Sequence, residues 1–139
     1  MRRHFSALVL AAAMALPAVG ESITIPPGLW SYSGTAQLGA GQMTDTGQEC
    51  FRPGNSTYNL STAARSIADG CDLVSSSSVE DGVAFKIACT GALNGELSGE
   101  FLLQDDTAEL TATGWTGTPE TQMPVVISAT AERLADSCS

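Results

Sequence analysis

The hydrophobic positions of this chain fall into two regimes. Over residues 5–16 they are nearly continuous, with Ser6 the only polar residue. From Ser22 onward they alternate with polar positions in short runs broken by Gly, Pro, Asn and Asp. Alternation with period 2 places apolar side chains on one face of a strand and polar ones on the other. Val83, Phe85, Ile87 and Cys89 share one such face, with Lys86 opposite, and Ala108, Leu110, Ala112 and Gly114 alternate with Thr107, Glu109, Thr111 and Thr113. The pattern predicts strands over 29–38, 42–51, 71–79, 83–90, 96–103, 107–115 and 125–134, with a short β-type run over 22–25. Pro26 and Pro27 cannot donate to a ladder, so that first run reads as an edge or a turn into the sheet.

Turn chemistry separates these runs. Gly39-Ala40-Gly41, Glu80-Asp81-Gly82 and Gln104-Asp105-Asp106 read as hairpin turns, and 117–124 reads as a loop. After the loop signal Pro53-Gly54-Asn55-Ser56, Ser61 is positioned to cap a helix of about two turns over 62–67, which Gly70 would stop. Ser75 to Ser78 reads as an exposed edge. About seven strands and one short helix, between the second and third of those strands, predict an all-β domain. The expected architecture is an antiparallel meander curled into a barrel or half-barrel, with a two-sheet β-sandwich as the alternative.

The apolar run has a different meaning. Arg2, Arg3 and His4 precede it and Pro17-Ala18-Val19-Gly20 follow it. A basic start, a short apolar core and a small-residue exit are the parts of a secretory signal. The run is too short for a bilayer, which needs roughly 20 residues. A signal peptide over 1–20 and a single domain over 21–139 are expected, in a periplasmic or secreted protein with no membrane span after cleavage. Removing the signal leaves four basic residues, Arg52, Arg65, Lys86 and Arg133, against 15 acidic ones, a net charge of −11. The one histidine, His4, is removed as well.

That composition excludes whole classes of function. Without a basic patch the domain has no means of displacing counterions from nucleic acid. Without histidine it has no Ser-His-Asp or Cys-His machinery and no imidazole metal ligand. An enzyme would have to work with carboxylates alone, and no cofactor is implied. The charge favours solubility and a monomer.

Cys50, Cys71, Cys89 and Cys138 are an even set in an exported chain, which reads as two disulfides. A four-cysteine zinc site lacks its usual close pairs. Of the possible pairings, Cys71–Cys89 with Cys50–Cys138 is preferred. A turn at Glu80-Asp81-Gly82 folds Cys71 and Cys89 roughly opposite each other, and the imperfect register calls for a bulge or a longer turn. Cys50–Cys71 with Cys89–Cys138 remains the alternative.

Pro27-Gly28-Leu29-Trp30 after a signal, Cys50 ending a strand, Cys71-Asp72-Leu73 after a loop, Ala88-Cys89 closing a strand, the glycine-bearing strand from Gly95 to Phe101 and a terminal Cys138 together carry a family pattern. The chain resembles the DUF3617 family of exported bacterial proteins. The resemblance covers nearly all of residues 21–139, implies a periplasmic β-rich domain and implies no activity.

Candidate contact residues are few. Trp30 and Tyr32 suit either a ligand pocket or a core near the start of a barrel, with core the commoner use. Trp115, at a strand end, is a candidate for contact with a ligand or partner. Asp105, Asp106 and Glu109 offer hard oxygens for calcium, though Asp is common in hairpin turns for its own reasons. Glu96 and Glu100 share a strand face, where paired carboxylates could act as in a glycosidase or merely be solvated. Asn55-Ser56-Thr57 and Asn59-Leu60-Ser61 match the glycosylation sequon. The expected function is non-enzymatic binding of a small apolar or weakly cationic ligand. The alternative is a structural or protein-interaction module of the cell envelope with no small-molecule pocket.

Overall fold

In a computed structural model of the chain, residues 22–54 and 56–138 are described. The expected export signal over 1–20 lies outside the described residues. The chain forms β1 (Ser22–Thr24), β2 (Gly28–Leu38), β3 (Gly41–Phe51), β4 (Thr57–Asn59), α1 (Leu60–Ile67), β5 (Cys71–Val79), β6 (Gly82–Cys89), β7 (Gly95–Gln104), β8 (Thr107–Thr118) and β9 (Thr121–Ala135). No helix among the described residues is long and apolar enough to cross a membrane.

The fold is all-β, with two corrections to the expected architecture. Seven strands form one antiparallel sheet in the order β3-β2-β9-β8-β7-β6-β5, and β1 pairs with β4 in a separate two-stranded sheet. The order is not a simple meander, because β2 lies between β3 and β9. The chain makes the β2–β3 hairpin, passes through β4 and α1 to the far edge, and returns strand by strand until β9 reaches β2. No closed barrel is found among the described residues, since β3 and β5 are both edges. Nor is this a sandwich of two comparable sheets, because β1 and β4 are three residues each.

Smaller corrections have local causes. The cap of α1 is Asn59 rather than Ser61: its side-chain oxygen accepts from the Thr62 amide at 3.1 Å. Asn and Ser are nearly equal as caps, so composition could not choose between them. The expected loop over 117–124 is instead two strand ends around a tight turn, with Gly117 opposite Gln122 and Thr118 opposite Thr121. Pro124 is tolerated inside β9 because the β2 ladder has ended there. Its carbonyl accepts from the Gly39 amide of the turn at 2.9 Å, and the N–H it lacks has no strand partner on that side. In the β5–β6 hairpin Cys71 stands directly opposite Cys89, and the register mismatch is absorbed by a bulge at Val74.

The Pro-Gly-Leu-Trp segment is a structural clamp. Gly28 has φ +140°, and a Cβ there would lie 2.1 Å from the Ala135 carbonyl oxygen, so only glycine allows β2 to start so close to β9. The carbonyls on either side are used. Pro26 accepts from the Trp30 indole at 2.9 Å, and Pro27 accepts from Nε and an Nη of Arg133 at 2.9 and 2.6 Å. Arg133 also reaches Asp106 at 3.3 Å and Asp136 at 3.4 Å. Arg133→Met is expected to destabilise the domain by about 2–3 kcal/mol, because it leaves a part-buried carbonyl without its charged donors. Urea unfolding checks this, and a loss below about 0.5 kcal/mol would mean that the clamp is only a surface contact.

Two disulfides, Cys50–Cys138 and Cys71–Cys89, complete the frame. Their presence fits an oxidising, extracytoplasmic environment.

Candidate functional site

One face of the sheet is partly covered and the other is open. The register places Trp30, Tyr32, Gly34 and Ala36 of β2 on the same face as Ala131, Ala129 and Ile127 of β9. On that face lie also Ala108, Leu110 and Ala112 of β8, Phe101, Gly99 and Leu97 of β7, and Phe85 and Ile87 of β6. Many of these are Gly or Ala. A sheet packs about 10 Å from whatever covers it, and residues this small do not fill that gap.

The cover is α1 with β1. Leu60, Ala63, Ala64 and Ile67 fall at the i, i+3, i+4, i+7 spacing of one helix face. Ala64 is fully buried and packs with Cys71 and Ile87, which docks the helix over β5 and β6. Its neighbours on that face are not filled in: Ala63 is exposed and Ile67 is 51% exposed. Between helix and sheet lies a hollow of about 270 Å³ whose lining is wholly apolar, including Ile23, all four of those helix residues, Phe85, Leu97, Phe101, Leu110 and Ile127.

A second hollow, also about 270 Å³, adjoins it toward β2 and β3 and shares Phe101. It is lined by Ile25, Trp30, Tyr32, Glu49, Phe51, Ala108 and Ala131 as well. Trp30 is its buried wall, at 2% exposure, whereas Tyr32 is 36% exposed. The Tyr32 ring lies across Gly47 of β3, where a Cβ would meet the phenol oxygen at 2.7 Å. Phe51 is held edge-on by Tyr58 of β4, with ring centroids 5.8 Å apart at 87°. Glu49 is the only charged side chain in the lining of either hollow.

The sequence-nominated contact residues are therefore divided. Trp30 and Tyr32 come together on the covered face. Trp115 does not join them: it pairs with Glu96 and Pro124 one position out of phase with Gly114, so its side chain is on the opposite face, partly buried. Asp106 is engaged by Arg133 and Asp105 occupies a left-handed turn position at φ 47°, so both act in the hairpin and its clamp. No metal-holding group of three His, Cys, Asp or Glu occurs among the described residues. Glu96 and Glu100 lie on the open face of β7. Asn59 of the second sequon is the helix cap, and Asn55 lies outside the described residues.

The open face has a depression of about 460 Å³ with a mixed lining, in which Ser31, Ser33, Gln104, Thr107, Glu109 and Glu132 stand beside apolar residues such as Leu102. Glu109 and Glu132 are diagonal neighbours on adjacent strands of that face, side by side rather than opposed across a cleft. Sequence reading passed over Glu49 and Phe51. Their signal was the hairpin count: a two-residue turn at Gly39-Ala40 sets Glu49 opposite Trp30, whereas the three-residue turn expected at Gly39-Ala40-Gly41 slips the register. The chain matches no protein-family model, no curated protein and no solved structure.

Proposed function

We propose that this is a non-enzymatic binding domain, exported to the periplasm or beyond, that takes a small apolar or weakly cationic ligand between a half-barrel sheet and α1. The observation that carries the reading is the wholly apolar hollow beneath a helix whose apolar face is left half-covered. Protein interiors are close-packed, and water gains little from an apolar space of that size. Only six hydrophobic residues are buried among the described residues, so an apolar ligand would complete the core. Membership of the DUF3617 family, proposed on the sequence pattern alone, would fit an exported β domain and adds no activity.

A second reading, a protein-interaction module, draws support from β3. It is an 11-residue edge strand exposed along nearly its whole length, a form that pairs readily with another strand. The two readings separate with an environment-sensitive apolar dye such as Nile red. Wild-type protein is expected to enhance its emission. Ala63→Trp, at an exposed position of the lining, is expected to weaken dye binding at least about tenfold while leaving the melting temperature nearly unchanged, because the added ring occupies the hollow without entering the packed contact of Ala64. Equal dye binding by the variant would move the ligand elsewhere and leave the edge strand as the better candidate.

A further inference from the structure

We infer that the ligand is a cationic amphiphile, with its alkyl chain under α1 and a protonated amine at the β2–β3 end beside Glu49. This rests on the binding reading above and adds the chemistry of the head group. Phe101 lines both hollows, which makes them neighbours, and in this assignment a single elongated molecule passes that ring and occupies both. Their linings differ in kind. Beneath α1 there is no polar side chain, which suits a hydrocarbon. Toward β3 there are three aromatic rings besides the shared Phe101, namely Trp30, Tyr32 and Phe51, and one carboxylate.

Aromatic faces with a carboxylate attract a cation twice over, through the ring quadrupoles and through the formal charge. Glu49 forms no ion pair among the described residues, so its charge is available. An anionic amphiphile such as a fatty acid meets the reverse situation. Neither lining contains a basic side chain, and Arg133, the cation nearest in register to Trp30, is engaged by Pro27, Asp106 and Asp136. Asp45 follows Glu49 on the same face of β3 and extends the negative potential outward along the strand.

The test is calorimetric titration of the purified chain with octylammonium, octanol and octanoate below their self-association limits. Octylammonium should bind about tenfold tighter than octanol, with octanoate weakest. Glu49→Gln should bring octylammonium to the level of octanol and leave octanol unchanged. Glu100→Gln, which removes the same charge from the open face, should keep the preference. Equal binding of all three probes would overturn the head-group assignment and leave the apolar groove standing. A preference lost equally in both variants, or kept in Glu49→Gln, would overturn the role of Glu49. Binding of none of the three would overturn the groove reading itself, and the inference with it.

Discussion

Replacing Cys50 and Cys138 together by alanine is expected to cost about 4–5 kcal/mol and to lower the melting temperature by about 20 °C. The bond joins residues 88 apart, so in the chain-entropy account it removes much of the freedom of the unfolded chain. It also ties the end of β3 to the segment after β9, across the intervening β2, at the same end as the Arg133 clamp. Opening it frees the edge strand that holds Glu49 and Phe51. The Cys71–Cys89 bond closes a shorter loop, with separation 18, inside an already paired hairpin. Its loss should cost about 3 kcal/mol at most in the same account. Thermal and urea unfolding of the two double variants gives the comparison. A loss below about 1 kcal/mol for the Cys50–Cys138 pair would show that the unfolded chain is already restrained by other contacts.

Trp30→Ala carries the second large effect, about 4 kcal/mol. Trp30 is one of the two largest side chains that are fully buried, and it joins β2 to the wall of the aromatic hollow. Removing it leaves a cavity beside a sheet face that is already rich in Gly and Ala, with little nearby bulk to collapse inward. Trp30→Phe keeps most of the volume and loses the 2.9 Å indole bond to Pro26, so it should cost only about 1 kcal/mol beyond the packing change. Equal losses for the two variants would mean that the hydrogen bond, and with it the turn at Pro26, matters more than the buried ring.

What could be read from the sequence was what depends on local pattern. Alternation, strict in Thr107-to-Gly114 and carried by bulk and by Lys86 in Val83-to-Cys89, marked two strands and their faces, because one buried face enforces a period of 2. Asp81 and Asp105 marked the hairpin turns, and both adopt left-handed φ there. What could not be read depends on partners far apart in sequence. Nothing local announces that β9 inserts between β2 and β8, or that Arg133 reaches back 106 residues to Pro27. The hollow is of the same kind. Gly34, Ala129, Ala112 and Gly99 each look like ordinary small strand residues, and only the sheet register sets them side by side on one face. Trp115 shows the same dependence on register: its place near a strand end is legible in the sequence, while the face it occupies, opposite to that of Trp30 and Tyr32, is set by its pairing with Glu96 and Pro124.

The central claim, that the space between α1 and the sheet holds a small molecule, is tested most directly by native mass spectrometry of the protein isolated with its disulfides intact from its source cells. The expected result is the folded chain carrying one added small molecule, released by organic solvent and absent from Ala63→Trp. The bare polypeptide mass, both as isolated and after incubation with a total lipid and metabolite extract of the same cells, would contradict it.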